Sequence, residues 1–244
     1  MLTVLITALV VGGATMLGAV LGLLFRRLSP GLTQHVLAAS TGIMLAAAIL
    51  GLIVPSLDYG GRYSYLITVA GIFSGAAVIH GMEAFLPRLR VLVGIPRDRD
   101  DQDNMLLFVA AILIHKLPEG IAAGVGFGTD STLDALLIAG GIALQNIPEG
   151  MIVAVPMLRA GVSVPRTMLC GIVTALVELL GTLAGYWAVT VAAALLPLGL
   201  AFAGGTMLYV ILGQLRDSRL DYAGTCSVLA GFSAMVVCYR LPEI

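Results

Sequence analysis

Charge is what this sequence has least of. Only 11% of its 244 residues are Asp, Glu, Lys or Arg, while 59% are hydrophobic and mean hydropathy is +1.03. A water-soluble domain carries about 25% charge, so the composition excludes one and describes an integral membrane protein. A formal net charge of −1 gives no basic field for a nucleic-acid partner. The three cysteines, Cys170, Cys226 and Cys238, lie in apolar stretches without a CxxC pair. They read as small buried hydrophobes, which argues against a disulfide framework or a thiolate centre. Histidine is equally sparse, at three residues. An intramembrane metal-dependent hydrolase, whose zinc takes three protein ligands and an open water position, lacks its usual histidines here, so the chain reads as no enzyme. Lysine is scarcest of all: Lys116 is the only one. A lone buried lysine suggests a retinal Schiff base, but such a pocket is aromatic, and the one tryptophan, Trp187, lies far from Lys116 in the sequence.

What is present is length of apolar run. The first segment, MLTVLITALVVGGATMLGAVLGLLFRR, has no basic start and more than twenty apolar residues before Arg26 and Arg27, which predicts a spanning helix rather than a cleaved leader. Runs of roughly twenty residues predict eight spans over one transmembrane domain, 1–244: 2–25, 34–57, 64–86, 105–128, 133–157, 165–190, 195–213 and 222–239. The last but one is short and opens at Pro197. With the N-terminus outside, inner loops hold ten arginines: Arg26, Arg27, Arg88, Arg90, Arg97, Arg99, Arg159, Arg166, Arg216 and Arg219. The outer side holds only Arg62 and Arg240. The positive-inside rule therefore puts both termini outside, in a multi-pass protein of a cell (plasma or inner) membrane. The 30 glycines, many inside spans as in Gly18xxxGly22, allow helices to pack closely in lipid.

Ionisable groups deep in a span cost several kcal/mol and mark functional sites by default. Here they are His115, Lys116, Glu119, Glu149 and Glu178, with Gln145 and Asn146 beside them. His80 and Glu83 lie nearer the inner end of the third span. At 1.5 Å per residue, His115 and Met44 come roughly 15 Å into their spans, Gln145 roughly 18 Å and Glu178 roughly 20 Å. Four helices thus bring donor groups to one level. His115 and Glu119 are spaced i,i+4 and share a helix face, and Gln145 and Glu149 repeat the spacing. An imidazole, two carboxylates and an amide, with the Met44 thioether at the same depth, suit Zn²⁺ or a neighbouring first-row ion better than Mg²⁺ or Ca²⁺. Pro118 and Pro148 are helix-breaking residues that free the carbonyls of Ile114 and Leu144. Broken helices in opposed segments at mid-membrane are the pattern of secondary transporters.

The paired motifs HKLPEG (115–120) and QNIPEG (145–150) resemble those of the ZIP (Zrt/Irt-like) family of divalent-metal transporters, as do GIMLAA around Met44 and TALVELLG around Glu178. The resemblance implies an all-α fold in which two inverted three-helix repeats, spans 1–3 and 6–8, surround spans 4–5. It further implies that Met44, His115, Glu119, Gln145 and Glu149 hold a transported metal. By the same resemblance the ion would be Zn²⁺ or one of Fe²⁺, Mn²⁺, Cd²⁺ and Co²⁺, a substrate rather than a cofactor, and would be moved toward the cytoplasm by an elevator motion, often in a homodimer.

The departures are specific. Binuclear members read H-N-x-P-E-G and Q-D-x-P-E-G, where this chain has Lys116 and Asn146. Four carboxylates with two divalent ions sum to zero. So do the three here (Glu119, Glu149 and Glu178) with one divalent ion and one ammonium, and a buried site must come near neutrality. Lys116 is therefore expected to replace a second metal. Near the end of the seventh span LGQLRDS, with Gln214, stands where members carry H-E-x-x-P-E, and the histidine-rich inner loop is replaced by RDRDDQDN, with Asp103 or Asn104 as a helix cap. Asp58, Asp130 and Asp134 are placed to concentrate cations outside. The alternative function is a transporter of related architecture whose carboxylates carry protons or another cation. In equilibrium binding, Glu149→Ala is expected to abolish high-affinity metal uptake by the site, and Glu83→Ala to leave it in place; equal losses would mean the site lies elsewhere.

Overall fold

The computed structural model describes residues 1–24, 29–92, 102–129, 131–159, 161–218 and 220–240. The described residues form nine α-helices: α1 (Leu2–Leu24), α2 (Pro30–Ala46), α3 (Val54–Tyr59), α4 (Ser64–Leu92), α5 (Gln102–Val125), α6 (Thr132–Arg159), α7 (Val164–Val191), α8 (Leu196–Asp217) and α9 (Tyr222–Arg240). Seven long apolar segments meet the length and hydropathy of a membrane span: α1, the run through α2 and α3, α4, α6, α7, α8 and α9. The protein is thus an all-helical membrane protein. Arg26, Arg27, Arg97, Arg99, Arg219, Asp130 and the first part of the acidic inner loop fall outside the described residues, as do the side chains of Arg88, Arg90, Asp103, Asn104 and Arg240.

Local chemistry sets the helix starts. Ser29 Oγ accepts the Leu32 N–H, and Pro30 opens α2 where a missing N–H costs nothing. Proline occupies the first turn of α3, α7 and α8 for the same reason. Pro197 therefore begins α8 rather than weakening it. The α6–α7 turn closes through Gly161 at φ +80°, with the Val162 N–H on the Met157 carbonyl; a side chain would be strained there. Between α2 and α3, Ala47–Ile53 winds as a π-helix, one turn beyond Met44. Wide turns of this kind are concentrated at functional sites.

Two corrections to the sequence reading arise here. Pro118 and Pro148 do not break their helices: α5 runs unbroken through the first and α6 through the second. Each proline omits one hydrogen bond, and dense packing on neighbouring helices holds the remaining rungs in line. Of the three cysteines only Cys170 is buried, whereas Cys226 and Cys238 are exposed on α9. That helix turns most of its surface outward, which in lipid is an apolar setting.

Helices pack in two sets. In one, α1 lies on α6 and α7, and α5 lies on α7; in the other, α4 lies on α8 and α2 on α9. Glycine makes these approaches possible. A Cβ on Gly120 would overlap the Glu178 carbonyl oxygen, and one on Gly150 the Thr15 carbonyl oxygen, so the glycine of each P-E-G motif lets a neighbouring backbone come close. The second set repeats the device, with Gly75 and Gly205 between α4 and α8, and Gly42 and Gly231 between α2 and α9. Between the sets lies a core containing Val11, Met44, Leu52, Ile138, Ile142 and Met207. Gly231→Ala, whose Cβ would strike the Ala39 carbonyl oxygen, is expected to destabilise the protein by about 1–3 kcal/mol. Gly13→Ala meets open space and is expected to be neutral. Thermal unfolding of the two variants in detergent checks the difference.

Candidate functional site

Four helices of the first set converge on one ammonium group. Lys116 Nζ on α5 donates to Glu119 Oε2 at 2.6 Å, to Asn146 Oδ1 on α6 at 2.6 Å and to Glu149 Oε2 at 2.5 Å. Glu178 Oε1 on α7 stands 3.9 Å away. Three donor hydrogens thus meet three acceptors, which is all an ammonium can donate. The second layer is equally complete. Asn146 Nδ2 donates to Glu178 Oε1 at 2.6 Å and to the Val11 carbonyl at 3.1 Å, while Thr15 Oγ1 on α1 donates to Glu178 Oε2 at 3.0 Å. The side chains of Lys116, Glu119 and Glu178 are 2%, 3% and 0% exposed, and that of Glu149 is 16% exposed. Charges this dry persist only when paired and hydrogen-bonded.

Helical periodicity explains how two short motifs achieve this. Lys116 and Glu119 are i,i+3 on α5, and Asn146 and Glu149 have the same spacing on α6, so each motif turns two polar groups to one side. Asn146 acts as an adapter. Its amide oxygen serves the lysine and its nitrogen serves Glu178, so one side chain bridges cation and carboxylate.

The five expected metal donors are placed unequally. Glu119 and Glu149 are together, with Lys116 between them. Gln145 is fully buried, and neither its Nε2 nor its Oε1 has a hydrogen-bond partner among the described residues. Its backbone carbonyl accepts from Ser40 Oγ at 3.2 Å. Met44 is buried among apolar side chains of the core. His115 points elsewhere: its Nε2 is 3.0 Å from Glu83 Oε1 on α4. Consequently no three His, Cys, Asp or Glu side chains converge as a metal cluster among the described residues. Lys116 lies where the carboxylates would meet an ion, and His115 is turned away.

Thr15 and Glu83 are the partners the sequence did not reveal. Glu83 stood out as an ionisable residue in a span, but only packing shows that it faces His115. Thr15 had no signal beyond lying among the glycines of the first span. At one end of the bundle, Asp58 and Asp134 line a cavity of about 770 Å³ with Tyr59, Thr129 and Tyr239. The Asp134 N–H donates to Ser131 Oγ at 3.2 Å, so Ser131 caps the start of α6. Toward the other end, Thr41 Oγ1 donates to Gln214 Oε1 at 3.0 Å.

Comparison with known proteins gives a consistent result. The family model described as ZIP Zinc transporter matches residues 99–217, which include both P-E-G motifs and Glu178. Zinc transporter GufA of Myxococcus xanthus is 35% identical, with 96% of each chain covered. Zinc transporter ZIPB of Bordetella bronchiseptica is 30% identical over 91% of this chain and 76% of its own. The human protein Zinc transporter ZIP11 is 42% identical over 57% of this chain and 42% of its own. Removing one partner of a buried ion pair costs about 3–5 kcal/mol. Lys116→Met is therefore expected to lower the unfolding temperature of the metal-free protein markedly, and differential scanning calorimetry in detergent checks it.

Proposed function

The chain belongs to the ZIP zinc transporter family, and from that premise we propose that it carries a divalent transition-metal ion, Zn²⁺ foremost, across the membrane toward the cytoplasm through one midplane site. The observation that carries this reading is a Gln145 amide that is fully buried and has no hydrogen-bond partner among the described residues, on the same helix as Glu149, one of the two carboxylates bonded to Lys116. An unpaired buried amide costs roughly 1–3 kcal/mol, and an arriving cation is the partner that Gln145 Oε1 can accept. Glu149, the most exposed member of the cluster, is the natural first contact. His115, Glu119 and the Met44 thioether complete a mixed N/O/S donor set suited to Zn²⁺.

Lys116 has the role of a tethered second cation. Its contacts with Glu119, Asn146 and Glu149 are those a second ion shared between the two motifs would require. With Glu178 included, three carboxylates, one ammonium and one divalent ion sum to zero, so the loaded site is neutral and its desolvation is tolerable.

The architecture we propose is eight spans, α5 being the eighth, with both termini outside. Exchanging the first three spans for the last three, and α5 for α6, leaves the packing pairs unchanged: α1–α6 becomes α7–α5, and α4–α8 becomes α9–α2. That invariance supports two inverted repeats around a central pair. The division into two packed sets supports an elevator motion, with α1, α5, α6 and α7 carrying the ion past α2, α4, α8 and α9.

The test is metal stoichiometry and flux on one preparation. The wild-type protein is expected to bind one Zn²⁺ per chain and to pass zinc into proteoliposomes. Lys116→Asn is expected to take up a second divalent ion where the ammonium was. One ion in both proteins, with equal affinity and equal pH dependence, would remove the role given to Lys116.

A further inference from the structure

The cavity at the end of the bundle where α6 begins has a lining that a metal ion does not need. Its volume is about 770 Å³, whereas a divalent ion with six waters fills roughly 200 Å³ at about 30 Å³ per water. Pockets for small organic ligands span about 300–1,000 Å³ and set a few polar groups in apolar walls. That is the composition found here. Leu137, Ile138 and Val236 supply apolar wall, and Asp58 and Asp134 supply two carboxylates. Three of the thirteen lining residues, Tyr59, Phe232 and Tyr239, are aromatic, in a chain that is only 6% aromatic. We infer that this cavity is a binding site for an organic ammonium ion with an apolar body, and that the bound ion holds the two helix sets in one arrangement.

Charge selects a cation. Among the described residues no lysine or arginine lines the cavity, so nothing there offsets the two carboxylates. Both aspartates are exposed, which lets them draw cations from solution. Aromatic faces then decide which cation remains. Ring faces attract positive charge, and they favour substituted ammonium groups over strongly hydrated ions, whose water stands in the way. Tyr239 offers the cavity its ring rather than its hydroxyl. The hydroxyl oxygen is buried with no hydrogen-bond partner among the described residues, and a Cβ on Gly51 would overlap it. Glycine at 51 thus lets Tyr239 lie against the π-helical turn. The walls also belong to both helix sets. Asp58 and Tyr59 lie on α3, which packs on α8, and Phe232 and Tyr239 lie on α9; Asp134, Leu137 and Ile138 lie on α6. A ligand that touches both sets favours the arrangement in which it touches them best. Binding needs no assumption about transport, whereas the arrest of transport rests on the reading above.

Benzyltrimethylammonium is the probe, and dimethyl benzyl carbinol, a neutral alcohol of nearly the same shape, is the control. Calorimetric titration of the full-length protein in detergent is expected to show one probe per chain, with Kd on the order of 100 µM. The alcohol is expected to bind at least about tenfold more weakly. Tyr239→Phe keeps the ring and is expected to bind the probe within about twofold of wild type, while Tyr239→Leu weakens binding about fivefold or more. Asp58→Asn and Asp134→Asn are each expected to weaken it about threefold or more at low salt. In proteoliposomes with the probe on both faces, wild-type zinc uptake is expected to fall by half near that Kd. Equal binding of alcohol and ammonium would overturn the inference, leaving only an apolar hollow, and this comparison holds even where Tyr239→Leu folds poorly. Equal probe binding by wild type and Tyr239→Leu would also overturn it, leaving only attraction to two surface carboxylates. Undiminished uptake with the probe bound would overturn the arrest. If the wild-type protein passes no zinc, the transport reading fails and the calorimetry still decides the binding site.

Discussion

One ammonium ion organises the centre of this protein. Lys116 Nζ, 2% exposed, is held by two carboxylates and an amide from two helices. Burying a cation costs several kcal/mol unless its partners are close and themselves satisfied. That demand passes outward: Asn146 must present its oxygen inward, its nitrogen must find Glu178, and Glu178 must be met by Thr15. Four helices are thereby fixed in rotation and height by one charge. The arrangement also sets what an arriving ion encounters, since the carboxylates it would use are already engaged. In the proposed function the lysine makes one ion enough to neutralise the site.

Glycine is what lets those helices come close enough. Gly120 and Gly150 each place a motif backbone against the carbonyl of a neighbouring helix, at Glu178 and Thr15. Those two residues are the ones whose side chains complete the charge network. Proline, acid and glycine in P-E-G therefore have separate jobs at one point: an omitted backbone hydrogen bond, a carboxylate and a close contact. In lipid, where no hydrophobic force holds helices together, packing and polar contacts of this kind provide the cohesion.

The contact between His115 and Glu83 is of a different character. It joins the two helix sets, is partly open to its surroundings and uses one side chain from each. The Lys116 network, by contrast, lies within one set of helices. The π-helical turn at Ala47–Ile53, which contributes Ala48 and Leu52 to the core, is a further place where the backbone departs from a regular α-helix.

The helices were legible from the chain alone because apolar runs of span length report the solvent directly; α6, expected over 133–157, is Thr132–Arg159. The importance of Lys116, Glu119, Glu149 and Glu178 was legible too, since a charge in an apolar run carries a cost that only a specific partner offsets. Whether proline breaks a helix was not, because neighbours supply or withhold the support. Nor was the direction of His115: i,i+4 spacing puts it on one face with Glu119, but a side chain swings through several ångströms, and its partner is 32 positions away on a helix whose rotation the sequence does not state. Sequence by itself determined the solvent, the helices and the charges that need partners, all of which depend on local composition. Tertiary structure decided which partner each charge received, because that choice depends on how helices distant in the chain are rotated and packed.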